Sequence, residues 1–452
     1  MESSMEHDEP LFSSSDDVFA WLSRFIGDQF TTSLRLDRME TLARLAGNPE
    51  KASPAIHVAG SKGKGSVTGM TSAILSAGGF RPGRYTSPHV TEYRERITAG
   101  DEFFDEQVYI AAGKELAAAE KALRGIPAEN PDDNSAGFFE LLTLYFFLCA
   151  RQGNCNVMTL ETGLGGRFDA TNIVDPAVSA ITLIELEHTE FLGNTISAIA
   201  GEKAGIIKPG RPLVLAEQPP DALQVFKTAA ADKNAPFYYL PEIADIQDIR
   251  ISPEGTVFSL HSEVFSRSLK DLKTPLVGAI QAKNAGLAAV SAKIAFPGLP
   301  EQAIPEGLAG FALPARFERV SDDPVLVVDG AHTARSTSAC AETFKQLYGH
   351  GGILLFGCAI GKDAQAMAEV LLPLFSVVII TTPGTYKVSV PQGVYDIFRE
   401  TAASAFCRTE ILCIPETVQA IKQAVSLGKA KNLPILGTGS FYLAAEIRNS
   451  FF

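Results

Sequence analysis

The stretch Ile56-His-Val-Ala59-Gly60-Ser61-Lys62-Gly63-Lys64-Gly65-Ser66 decides how this chain is read. A short apolar run enters a loop with glycine at positions 60, 63 and 65, and a helical pattern begins near Val67. Strand, glycine-rich loop and helix is the setting that a phosphate-cradling loop requires. Glycines let successive backbone N–H groups turn toward one anion, and the helix N-terminus adds partial positive charge. Lys64 would reach the β- and γ-phosphates and Ser66 would support Mg²⁺. The spacing is Gly-x-x-Gly-Lys-Gly-Ser, not the strict Gly-x₄-Gly-Lys-Ser/Thr, so on these residues alone a glycine-rich surface turn stays open.

Working outward, the same grammar recurs. Val157-Met-Thr-Leu160 precedes Glu161, Val178 to Ile184 precedes Glu187-His188, and Val325-Leu-Val-Val328 precedes Asp329. Ile353 to Phe356 precedes Gly357, Val377 to Ile380 precedes Thr381, and Pro434-Ile-Leu436 precedes Gly437. Short apolar runs alternating with helical patterns predict an α/β protein with mostly parallel sheets. Ligands of such sheets bind beyond the carboxyl ends of the strands, so the polar terminating residues are the candidates for chemistry. The short alternating patterns from Asp245 to Lys273 predict an antiparallel hairpin insert. Rising Pro and Gly density from Phe296 to Pro314 predicts a linker, with domains at 1–313 and 314–452.

The 452 residues suit two or three domains, and 46% hydrophobic with 20% charged residues is ordinary globular composition. The longest apolar stretch, Leu141 to Ala150, falls short of the roughly 18 residues of a spanning helix. The segment Met1–Pro10 is acidic and polar, without the basic and apolar regions of a secretory signal, which predicts a cytoplasmic protein. Six scattered cysteines (149, 155, 340, 358, 407, 413) form no Cys-x-x-Cys pair and read as reduced thiols. Charge of 39 minus 52, or -13, opposes attraction to nucleic acid and to anionic membranes, leaving small molecules as the expected partners.

Glu161 at a strand end could anchor Mg²⁺, which prefers hard oxygens and keeps its waters, or could be a solvated charge. His188 ends the next predicted strand, as a ligand or as a hydrogen-bonded structural residue. Asn194 or Thr195 caps a predicted helix whose buried stripe of Ile196, Ile199 and Ala200 continues to Lys203. An inward lysine has to be paired, neutral or modified. Arg316 and the Asp329-Gly-Ala-His332 segment offer a cation and an acid–imidazole pair for charge stabilisation, or a surface ion pair and a turn.

Taken in order, these segments resemble the folylpolyglutamate synthase and dihydrofolate synthase branch of the Mur ligase superfamily. The matches are His57 through Val67, Thr86-Ser-Pro-His89 with Glu95-Arg-Ile97, and Glu161 with Gly163-Leu-Gly-Gly-Arg-Phe-Asp-Ala-Thr-Asn172. His188-Thr-Glu-Phe-Leu-Gly193, Glu202 through Gly210, Arg316-Phe-Glu318, Asp329 through His332 and Thr438 through Leu443 complete them, from about residue 30 to the C-terminus. The resemblance implies an N-terminal phosphate-loop ATPase domain with a mostly parallel sheet and a smaller Rossmann-like C-terminal domain that closes on it.

It implies nucleotide contacts from Gly60, Gly63, Lys64, Gly65, Ser66, Asn284, Arg316 and Asp329, and two Mg²⁺ ions held by Ser66, Ser87, Glu161 and His188. Substrate contacts would come from Ser87, Pro88, Phe138, Phe139, Glu140, Arg167, Phe168, Asp169 and Ala170. Lys64, Lys203, His188 and His332 would be catalytic, with Lys203 carried as a carbamate. The implied reaction joins L-glutamate to dihydropteroate or to a reduced folate at the expense of ATP, through an acyl phosphate, in a monomer. Another Mur-type amino-acid ligase and an ATP-binding regulatory protein without ligase activity are the alternatives. The chain departs from the family pattern at Ser61-Lys62 (usually Thr-Asn), Ile280 (His), Ala315 (Gly) and Thr333-Ala334 (Asn-Pro).

Overall fold

The computed structural model describes residues 11–27, 36–127, 134–384 and 388–451. The acidic segment Met1–Pro10 lies outside the described residues. Contacts divide the chain into two units: residues 1–248, 258–272 and 282–311, and residues 249–257, 273–281 and 312–452.

The main sheet of the first unit has, among the described residues, seven strands: β1 (Ala55–Ala59), β2 (Pro82–Tyr85), β3 (Ile97–Ala99), β4 (Val157–Glu161), β5 (Val178–Ile181), β6 (Leu213–Leu215) and β7 (Phe237–Tyr239). Their order is β3-β2-β4-β1-β5-β6-β7. All neighbouring pairs are parallel except β2 with β3. β1 and β4 are buried along their whole lengths, as strands covered on both faces must be, which is why they read as apolar runs. The helix Phe138–Gln152 puts Leu141, Leu142, Leu144, Phe146 and Phe147 into the main core. The long apolar run is therefore a core helix, and no described helix is long and apolar enough to cross a membrane.

Strands β8 (Ala244–Ser252), β9 (Gly255–Ser262) and β10 (Leu269–Thr274) form a three-stranded sheet in the order β10-β9-β8 where the hairpin insert is expected. The second unit holds β11 (Glu318–Asp322), β12 (Val325–Val328), β13 (Gly352–Phe356), β14 (Phe375–Ile380), β15 (Glu410–Cys413) and β16 (Ile435–Thr438), ordered β11-β12-β16-β13-β14-β15. Only β11 runs antiparallel to its neighbour. Phe344, Phe356, Met367 and Phe398 lie in its core.

Three local expectations need correction. The Pro- and Gly-rich stretch after Phe296 is not a plain linker, because Ala303–Gly310 is a helix. Pro305 sits in its first turn, where no helical N–H is lost, and Gly307 is where the helix meets Ile74: a Cβ there would stand 2.5 Å from the Ile74 backbone. Here glycine marks close helix contact and not a break. The strand expected over Val178 to Ile184 stops at Ile181, so His188 is not a strand end. The helix after the glycine loop starts at Lys64, earlier than Val67, because Gly63 is already its N-cap.

Candidate active site

Gly60 and Gly63 are required by local geometry. Gly60 has φ +145°, and a Cβ on it would lie 1.8 Å from Thr182 Oγ1; Gly63 has φ +92° and faces Asn284, whose Oδ1 would be 2.7 Å from a Cβ. With Lys64 opening the helix, residues 64–66 form its first turn, whose N–H groups lack helical partners and are the natural anion donors. The Lys64 ammonium donates to the Gly60 carbonyl at 3.0 Å, folding back over the loop. The amides of Ser61 and Lys62 both donate to the Leu183 carbonyl, at 3.0 and 3.3 Å, and fasten the loop to the segment after β5.

Glu161 ends β4 opposite Val58 of β1 and is 4% exposed. Its Oε2 accepts the Ser87 amide at 3.0 Å, so these two predicted metal residues are brought together. Among the described residues, no three His, Cys, Asp or Glu side chains gather as a metal cluster. A lone carboxylate with the hydroxyls of Ser66 and Ser87 is a hard-oxygen donor set. It fits Mg²⁺, which completes its shell with water and phosphate, and does not fit a zinc cage.

Lys203 ends the helix Ile196–Lys203, which is capped by the Thr195 hydroxyl on the Ala198 amide. It is 1% exposed, and its ammonium donates to the Gly60 carbonyl at 2.8 Å and to Glu187 Oε1 at 3.1 Å. Lys62 approaches the other oxygen of Glu187 at 3.8 Å. Burial, reinforced by the charge of Lys64 and partly offset by Glu187, pushes the Lys203 ammonium down to about 8. Burial raises the Glu187 carboxyl, but Lys64, Lys203 and Lys62 together hold it below its ordinary value. Glu187 is thus the counter-ion that an inward Lys203 demands, and the sequence reading did not single it out. The acidic residue directly before His188 was the available signal.

His188 itself has φ +47° and caps the short turn Thr189–Leu192, seven residues beyond the end of β5. A left-handed backbone at a non-glycine residue is uncommon and marks a constrained position.

The predicted substrate residues divide. Phe138 is in the core, whereas Phe139 is half-buried with its ring against Gly163, and Phe168 is 42% exposed. Asp169 is consumed by the loop: Oδ2 accepts the amides of Gly163 and Leu164 at 2.9 and 3.0 Å, and Oδ1 the amide of Thr171 at 3.0 Å. Burial raises its carboxyl while these hydrogen bonds lower it, with a net upward shift. Ala170 is buried beside it. Glu140 grips Arg38 through both oxygens at 2.9 Å and accepts the Gly137 amide at 2.8 Å, so the structure gives it a structural engagement. Arg167 pairs with Glu202 at 3.3 Å and is the only predicted site residue lining a cavity of about 570 Å³ beside the helices Ile196–Lys203 and Pro220–Asp232. Pro88 is exposed, joined to Ser87 by a cis peptide bond.

In the second unit, Asp329 is half-buried and accepts the amides of Phe317 and Ala331, both at 2.8 Å. Burial raises its carboxyl, and the Arg316 charge works against that rise. Ala315 and Phe317 have φ of +55° and +49°, so the position where the resemblance leads one to expect glycine is left-handed in this chain. Arg316 lies 4.0 Å over the Phe441 ring, and His332, whose Nδ1 is 2.9 Å from the Gly330 carbonyl, lies 6.1 Å from that ring. Phe441 was quoted only as part of a motif, yet it is the platform of this cluster.

A phosphate loop at the carboxyl ends of adjoining parallel strands, with an acidic strand end beside it, defines a nucleotide-using α/β enzyme. The Mur ligase middle domain matches residues 58–292, and the Mur ligase glutamate ligase domain matches residues 315–441. The chain is 32% identical over 419 residues to folylpolyglutamate synthase of Lacticaseibacillus casei, covering 91% of this chain and 93% of that protein. It is 32% identical over 444 residues to dihydrofolate synthase/folylpolyglutamate synthase of Bacillus subtilis, covering 97% and 99%. The structure of Mycobacterium tuberculosis folylpolyglutamate synthase with ADP and AMPPCP superposes with a TM-score of 0.85 at 28% identity, covering 97% of this chain and 99% of that one. The chain is an ATP-dependent amino-acid ligase of the Mur type. Within that class it belongs to the folylpolyglutamate synthase and dihydrofolate synthase family.

Proposed function

We propose that the chain joins L-glutamate to the free carboxylate of dihydropteroate and of reduced folates. The observation that carries this is the exposed, half-buried pair of rings, Phe168 and Phe139, bracketing a loop that starts next to Glu161. Flat aromatic surface beside a phosphate-handling strand end suits a pteridine whose distant carboxylate must meet ATP.

In the first half-reaction, a carboxylate oxygen attacks the γ-phosphorus, the bond to the β-bridging oxygen breaks, and an acyl phosphate and ADP form. In the second, the glutamate amine attacks the acyl carbon and phosphate leaves. The residues act by positioning and by offsetting negative charge. The first-turn amides of 64–66 and the Lys64 ammonium hold the phosphates. Glu161, Ser66, Ser87 and His188 would hold two Mg²⁺ ions, which supply charge neutralisation on the phosphates. In this reading Asn284 is the nucleotide contact beside the loop in domain 1–313, and Arg316, Asp329 and His332 are the nucleotide contacts of domain 314–452. Lys203 carries a carbamate only after its amine leaves Glu187; a Lys203→Ala enzyme that short carboxylates rescue would support that role, and full activity without rescue would remove it. The six free thiols suit the reducing cytoplasm, and we take the enzyme to act as a monomer on small molecules.

The test is phosphate release from Mg-ATP with glutamate, run with dihydropteroate, with tetrahydrofolate and with neither. Release with both is the expected outcome. Release with one alone assigns the single step, and nucleotide binding without release in any tube overturns the reading.

A further inference from the structure

His57 sits inside β1, three residues before Gly60, and is fully buried. Its Nε2 lies 2.8 Å from the Thr171 hydroxyl, and its Nδ1 has no hydrogen-bond partner among the described residues. The same hydroxyl makes a short hydrogen bond to Asp169 Oδ1. We propose that His57 is a positioning residue for the substrate loop Gly163–Asp169, acting through a buried relay in which His57 Nε2–H donates to Thr171 and Thr171 donates to Asp169. The proposal rests on the reading of this loop as the pteridine side of the site.

The proton order follows from counting donors. Backbone amides only donate, so the three amides on Asp169 make both its oxygens acceptors, as in an ionised carboxylate. The single hydroxyl proton of Thr171 then points at Asp169, and its oxygen must accept from His57. The reverse order would protonate Asp169 and place the imidazole proton on Nδ1, a buried donor with nothing to receive it. Buried orphan N–H groups are rare, whereas an idle lone pair is tolerated. Burial and the nearby charge of Lys208 push the imidazole down to about 3, which keeps the ring neutral through the working range.

The relay matters because of what Asp169 holds. Its second oxygen gathers the amides of Gly163 and Leu164, in the turn directly after Glu161 and Thr162. Gly163 stands against the Phe139 ring, and Gly166 against the Lys203 backbone, where a Cβ would come within 3.0 Å. His57 thus sets the loop between the metal carboxylate and the exposed Phe168 while lying on the strand that feeds the phosphate loop.

Replacing His57 by Gln keeps an N–H donor at similar reach, and replacing it by Leu removes it. The expected result is that His57→Leu raises KM for dihydropteroate about tenfold, as for one lost buried hydrogen bond, leaves KM for ATP unchanged, and is rescued by His57→Gln. Both KM values rising together, or neither rising, would overturn the positioning role. Where His57→Leu fails to fold, histidine-selective ¹⁵N NMR of the unaltered protein decides: one non-titrating Nε2–H ring, lost in His57→Gln, is expected. An Nδ1–H ring or a ring that titrates near neutrality would overturn the relay. The NMR needs no substrate, so an enzyme indifferent to pteridines would overturn the functional reading and leave the relay readable.

Discussion

In the lysine cluster at the phosphate loop, charged side chains answer one another: Lys203 and Lys62 share Glu187, and Lys203 and Lys64 share the Gly60 carbonyl. In the cluster beside β12, the charge answers the backbone, since Asp329 takes the amides of Phe317 and Ala331 and Arg316 rests on an aromatic ring. The first arrangement can be redrawn by an incoming anion, because each lysine can exchange Glu187 or a carbonyl for a phosphate oxygen. The second cannot be redrawn without releasing the backbone at both Phe317 and Ala331. Function that depends on charge rearrangement is therefore expected in the first cluster and function that depends on a rigid platform in the second.

The sharpest way to break that contrast is Lys64→Ala. Removing one preorganised donor from developing phosphate charge costs about a hundredfold to a thousandfold in turnover, and more where the group is the main cation. The fold should persist, because the ammonium's bond is to the loop's own Gly60 carbonyl. Near-normal turnover would remove the phosphate-loop assignment.

Next comes Glu187→Ala, which strands the Lys203 ammonium in a site where it is 1% exposed. Breaking a buried pair by removing one partner costs about 3 kcal/mol, read by chemical denaturation. A pH series sharpens the same point. The folded pKa of Lys203, about 8, lies below its ordinary value of 10.5, so between those limits the unfolded chain binds more protons. Stability carried by this group is lowest below pH 8 and rises as pH climbs toward 10.5. Lys203→Met should remove that upward slope; an unchanged slope would mean that the ammonium is not the buried charge the geometry shows.

Asp329→Ala is expected to have a smaller effect on stability. It leaves the Phe317 and Ala331 amides unpaired, at about 1–3 kcal/mol, and Asp329→Asn should recover part of the loss through its remaining oxygen. A denaturation curve in which the Ala and Asn variants coincide would mean that the amides find other partners.

How much of this could be read beforehand depended on whether the signal was local. The strands β1, β4, β12, β13 and β14 stood out because full or nearly full burial makes apolar runs, and Glu161 and Asp329 stood out because they end such runs. The helix Ala303–Gly310 was hidden because its glycine serves packing against Ile74, a contact between residues more than two hundred positions apart. Glu187 stood in view beside His188, but its pairing with Lys203, 16 residues on, did not, since a counter-ion is chosen by space and not by spacing. Glu140 and Asp169 were visible as polar residues in matched motifs, but only coordinates reveal that Arg38 and three amides engage them.

The smallest expected effect belongs to Ala315→Gly, which restores the residue usual in the family. Ala315 has φ +55°, a conformation that costs an alanine about 1–2 kcal/mol and a glycine almost nothing. Its methyl group, however, is fully buried, and losing that burial costs about 0.8 kcal/mol. Glycine also gives the unfolded chain more freedom, worth about 0.4–1 kcal/mol against the fold. The three contributions nearly cancel, so the melting temperature should hardly move. A clear rise would mean that backbone strain dominates at this turn and that the alanine is tolerated for the sake of Arg316, whose placement over Phe441 would then be the property to measure in nucleotide binding by the same variant.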